Sequence, residues 1–156
     1  MPIRSIGQLP SQDDSSTSAA PAASRLQLPV YVLATSSDGT RAALAAARSH
    51  ARDLNARIVM LVPHVVPYAR SIEHPVVSPD FVADRFRSLA RELSLEVSIH
   101  VCLCRPQDAA LAPLVPEDAV ILLGGRARRW WRTREQRLAH ALRRAGHRVL
   151  FVQADR

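Results

Sequence analysis

From Pro29 onward, short apolar runs alternate with stretches whose apolar positions recur every three to four residues. Val30 to Ala34 is a five-residue apolar run and reads as a strand. The turn Thr35-Ser36-Ser37-Asp38-Gly39 is rich in residues that cap helices. Residues 40–54 then predict an alanine-rich helix with a buried face of Ala43, Ala47, Ala51 and Leu54. Ile58 to Val62 predicts a second strand, ended by Pro63. The stretch 63–78 lacks periodicity and is proline-rich, which predicts a loop. Ser78 or Asp80 is placed to cap the next helix, whose Val82, Phe86, Leu89 and Leu93 make one apolar stripe. Leu95 to Leu103 alternates as a strand does, and Pro106 opens a short predicted helix over 106–114. A strand over Ala119 to Leu123, a helix over about 133–145 and a last strand over Val149 to Val152 complete the pattern.

The order is β-α-β-α-β-α-β-α-β. Apolar strands separated by helices predict a parallel sheet covered on both faces. In such sheets ligands bind beyond the carboxyl ends of the strands, where the winding reverses. With a strand order of 3-2-1-4-5, Thr35-Ser36 and Gly124-Gly125 flank that point.

Composition and charge refine this picture. The chain of 156 residues fits one domain over 29–156. Residues 1–28, with SQDDSSTSAAPAAS, have too little apolar surface to offset ordering and are expected to form a disordered tail. No apolar run approaches the roughly 20 residues needed to span a bilayer, and the start lacks a signal-peptide core, so a cytoplasmic location is expected. Cys102 and Cys104 alternate on a predicted strand and so share a face. They are expected to be reduced thiols, since a bridge so short in sequence is strained and two thiols alone do not make a zinc site.

All 21 basic residues are arginine. Nine of them lie between Ala119 and Val152, against the single acid Glu135, while the whole chain carries +7. The basicity is therefore local, which marks a surface suited to an anion. Its densest part is the loop RARRWWR, where Arg126, Arg128 and Arg129 sit beside Trp130 and Trp131. Arginine forks grip phosphate in two-point contacts, and indole rings stack on bases. A nucleotide, an acidic protein or nucleic acid are the anionic partners this loop suits.

The chain shows no catalytic constellation. There is no nucleophile elbow, no Ser–His–Asp set in a recognisable motif, no pair of carboxylates and no metal-ligand spacing among the histidines. The expectation is a binding protein, not an enzyme, with no metal and no resident cofactor. Thr35 and Ser36 are placed either to bond a ligand or to cap the helix that follows.

The segments VYVLATSSDGTRAALAAARSHARDLNARIVMLV, DAVILLGG and LAHALRRAGHRVLFV resemble the universal stress protein family, and the resemblance runs from Pro29 to Gln153. It implies a five-stranded parallel sheet of order 3-2-1-4-5 with helices on both faces, as in the adenine nucleotide alpha hydrolases. It also implies a homodimer through the last strand and, in one branch, ATP binding. That branch carries a glycine motif after the fourth strand that brings bare amides against a triphosphate. Here Gly124 is kept, Ala127 stands at the second glycine, Glu135-Gln136 near the final Gly-Ser, and Thr35 near the family's acidic residue. The adenine pocket of the family corresponds to the position of His64, just past the second strand, next to Pro63. The loop RARRWWR is also similar to the stress-protein-like module of potassium-sensing histidine kinases, a regulatory element. The candidate nucleotide or anion site is therefore Thr35, Ser36, Pro63, His64, Gly124, Gly125, Arg126, Arg128, Arg129 and Gln136. The function expected is a non-catalytic binding or regulatory role, with a weak ATP or AMP binder that hydrolyses slowly and a nucleic-acid-associated protein as alternatives.

Overall fold

The computed structural model describes residues 29–72, 75–105, 115–116, 119–127 and 133–154. The tail, the helix expected over 106–114, and Arg128, Arg129, Trp130 and Trp131 lie outside the described residues. Five parallel strands, β1 (Pro29–Leu33), β2 (Arg57–Val65), β3 (Val97–Cys104), β4 (Val120–Gly125) and β5 (Arg148–Gln153), form one sheet of order β3-β2-β1-β4-β5. The helices are α1 (Ser37–Asp53), α2 (Pro79–Glu92) and α3 (Arg134–Arg144).

The central strands carry the core. Val32, Leu122 and Leu123 are fully buried, and Val30, Leu33 and Ile121 nearly so. Each such side chain contributes about 1.5–3 kcal/mol of burial. Side chains alternate across the sheet. Val30, Val32, Met60 and Leu122 meet Ala43, Leu44 and Ala47 of α1, with Val82, Phe86, Leu89 and Leu93 packed at the margin. Leu33, Leu61, Ile121 and Leu123 meet Leu138, Ala139 and Leu142 of α3 on the other face. The α2 stripe is thus the one read from spacing. On α1 the prediction is corrected at Leu54, which sits past the helix end and is exposed, while Thr40 and Leu44 are buried in its place.

Each of these helices ends in the same reversal. Asn55, Ser94 and Gly146 take positive φ, and the residues after them donate back to Ala51, Ala90 and Leu142 respectively.

Pro63 does not end β2, which runs on to Val65 and pairs with β3 as far as Cys104. The reason lies in the ladder. The Leu61 carbonyl accepts from Ala34, so Leu61 and Pro63 direct their backbone groups toward β1, which has already ended. The missing proline amide falls on the side with no strand to bond.

Candidate functional site

A cleft of about 380 Å³ opens at the carboxyl end of the sheet, lined by Ala34, Thr35, Ser36, Pro63, Val65, Arg134, Glu135 and Leu138. It lies where the winding reverses between β1 and β4, as the topology requires. The ends of β1 and β2 form its floor, and the first turn of α3 forms a wall.

The residues around it are held by one another. The backbone amide of Thr35 donates to Thr40 Oγ1 at 2.9 Å, and Thr35 Oγ1 donates to the Gly124 carbonyl at 2.6 Å. Ser36 caps α1 by accepting from the Gly39 amide at 3.2 Å. Both side chains are therefore bonded within the fold.

Gly124 and Gly125 likewise serve close packing. A Cβ on Gly124 would stand 1.8 Å from the Gly39 carbonyl oxygen, and one on Gly39 would stand 2.3 Å from that of Gly124. The first turn of α1 thus lies directly on the end of β4, backbone against backbone. A Cβ on Gly125 would meet Cβ and Cγ of Glu135 at 2.8 Å. The Gly125 carbonyl accepts from Ala154 at 3.0 Å.

At the N-terminus of α3 a capping box uses two backbone amides. Thr133 Oγ1 accepts from the Gln136 amide at 3.3 Å, and Gln136 Oε1 accepts from the Thr133 amide at 2.9 Å. Gln136 is thus a cap. Glu135 in the first turn supplies the negative charge that the helix end attracts.

Of the other sequence candidates, Pro63 lines the cleft, but His64 does not. It lines a neighbouring hollow of about 190 Å³ with Val66, Pro67, Arg70 and Val76. Successive strand residues face opposite ways, so Pro63 and His64 part company. Arg126 pairs with Asp38 at 3.7 Å, with both side chains about two-thirds exposed.

Sequence reading did not single out Arg134, Val65 and Leu138. Arg134 and Leu138 are four residues apart on a helix and so share the face turned to the cleft. Beside the cleft, Cys104 pairs with Val65, and Cys102 with Pro63. Both cysteines are free thiols. Burial raises the pKa of each. The neighbouring Cys104 adds to this at Cys102, and the Arg134 guanidinium opposes it at Cys104.

The loop after β2 is fastened by Arg105. Its Nη1 donates to the carbonyls of Val66 at 3.3 Å, Pro67 at 2.6 Å and Arg70 at 2.9 Å, and its guanidinium lies 5.4 Å from the Tyr68 ring centre. Among the described residues, no group of three or more His, Cys, Asp or Glu side chains is placed to hold a metal ion, and no helix is long and apolar enough to cross a membrane.

No protein-family model and no curated protein matches the chain. Among solved structures it is similar to a universal stress protein in complex with cAMP, with a TM-score of 0.56 and 17% identity over 83% of this chain and 98% of that one. It is also similar to a universal stress protein family member from Burkholderia pseudomallei, with a TM-score of 0.46 and 19% identity over 82% of this chain and 97% of that one. The first likeness shows that the chain has the universal stress protein fold.

Proposed function

We propose that this chain is a cytoplasmic, non-catalytic binding protein of regulatory type. It meets an anionic ligand or acidic partner at the carboxyl end of its sheet. Guanidinium groups provide the attraction: Arg134 in the cleft, Arg126 just after β4, and the arginines that follow it in the sequence. The observation that supports this reading is the state of the two helix ends at the site. The α1 and α3 N-termini bond their own caps, Ser36 and Thr133. The Gly39 and Gln136 amides are thereby withdrawn from a phosphate that would seek them at a helix N-terminus.

A second reading, weak ATP or AMP binding, draws support from the cleft at the winding reversal and from the fold shared with a universal stress protein in complex with cAMP. Calorimetry with ATP and magnesium at physiological salt separates the two. ATP binding is expected to be absent or weaker than about 100 μM, a free energy of no more than roughly 5.5 kcal/mol. A constant of a few micromolar, abolished by Arg126→Ala, would show that arginines have taken over the work of a glycine nest.

The protein is also proposed to form a homodimer through β5, an edge strand with Leu150 exposed and Phe151 and Val152 half-buried. Phe151→Arg is expected to give monomer in sedimentation at concentrations where the parent chain is dimeric. Identical sedimentation of the two would count against this edge.

A further inference from the structure

The outer edge of β5 is not uniformly open. Ala154 donates to Gly125, so alternation turns the backbone groups of Leu150 and Val152 toward β4. Those of Val149, Phe151 and Gln153 point away from the sheet. These three residues are what a second strand meets. At Val149 the carbonyl oxygen is already taken. Arg143, in the last turn of α3, donates to it from Nη2 at 2.8 Å and from Nε at 3.2 Å. A carbonyl oxygen has two lone pairs, and both are engaged. Beside it, Gln136, Ala139, His140, Arg143 and Phe151 line a groove of about 250 Å³.

We infer that Arg143 closes the first part of this edge and confines self-pairing of β5 to Phe151 opposite its own copy. The inference rests on the homodimer proposed above. In an antiparallel pair with its twofold axis at Phe151, Val149 lies opposite Gln153 of the partner subunit. The carbonyl of Val149 is the acceptor that the opposing amide needs. While Arg143 holds it, that bond cannot form on either side of the axis, and the dimer is short and weak. Edge strands are commonly protected by a charged side chain against unlimited pairing. Here the protection acts on a particular backbone oxygen.

Arg143 also brings positive charge to an edge that already carries Arg144 and Arg148, so charge repulsion must be told apart from carbonyl blocking. Arg144 supplies the control, being exposed in the same last turn. Sedimentation velocity over a concentration series, at low and high salt, is run on the full chain and on Arg143→Ala, Arg144→Ala and Gln153→Pro. Arg143→Ala is expected to tighten the dimer about tenfold, since two symmetry-related bonds become available. Arg144→Ala and added salt are expected to shift it by less than about threefold. Gln153→Pro removes the outward amide that would meet Val149 without touching the bond to β4, and is expected to leave the parent dimer unchanged and to cancel the tightening when combined with Arg143→Ala. Thermal melting of each variant confirms that it is folded. Equal tightening by Arg143→Ala and Arg144→Ala would overturn the inference in favour of charge alone, and an unchanged dimer in Arg143→Ala would overturn it outright. A chain that stays monomeric in every variant would overturn the homodimer as well.

Discussion

Gly124→Ala is expected to cost at least about 3 kcal/mol of stability, a large share of the roughly 5–15 kcal/mol that holds a domain of this size together. The added methyl would stand 1.8 Å from the carbonyl oxygen of Gly39, with the Gly39 carbonyl carbon at 2.6 Å. Neither atom belongs to a side chain that can swing aside. The first turn of α1 must lift from the end of β4, and the bond from Thr35 Oγ1 to the Gly124 carbonyl is strained with it. Gly39→Ala breaks the same contact from the other side, so the double variant is expected to lose much less than the sum of the two. Gly125→Ala is a useful contrast. Its methyl meets Cβ and Cγ of Glu135, which can shift in part, and a smaller loss is expected. Urea unfolding midpoints rank the three. A Gly124→Ala midpoint equal to that of the parent chain would mean that the close approach of α1 and β4 is not required.

Arg105→Ala is expected to free the loop after β2 while leaving the sheet intact. One guanidinium gathers three carbonyls, those of Val66, Pro67 and Arg70, and lies against Tyr68. A charge-assisted bond contributes about 1.5–3 kcal/mol, and bonds that share one donor group are not additive. Exchange of the Val66 and Arg70 amides, which bond Cys104 and Pro67, is expected to speed up by roughly thirtyfold or more as local opening becomes easier. Amides of β1 and β4 are expected to keep their protection. Arg105→Lys is expected to recover part of the effect, since an ammonium donates but lacks the planar face that lies on Tyr68. Unchanged exchange at Val66 and Arg70 in the alanine variant would show that the loop is held by other means.

Much of the architecture could be read from the sequence because its elements are marked by strong local signals. The strands are short apolar runs, and the helices carry stripes at spacings of three and four. Their caps are residues whose side chains bond amides well, namely Ser36, Ser78 and Thr133. Pro63 misled because its effect depends on which neighbour its missing amide faces, and that is a property of the sheet. Leu54 misled because periodicity does not say where a helix stops.

The site was less legible than the fold, for a related reason. A glycine after a strand reads the same whether its bare backbone receives a phosphate or another backbone. Only the position of Gly39 distinguishes the two for Gly124. Gln136, by contrast, was legible as a cap, since Thr-x-x-Gln is the pattern of a capping box. Arg134 was hidden among nine arginines. Its distinction is to lie on the helix face that looks into the cleft.

The place of β1 in the sheet bears on how the chain is made. Of the five strands of this sheet, the first to leave the ribosome is the one that ends in the middle, with β2 on one side and β4 on the other. An early β1-β2 pair has one neighbour to form at once, but its other side waits until residues 120–125 have been synthesised. Until then Val30, Val32 and Leu33 have half of their final surroundings. Nascent chains of this protein therefore pass through a long interval with an apolar strand open on one side, the interval in which a chaperone has most to offer.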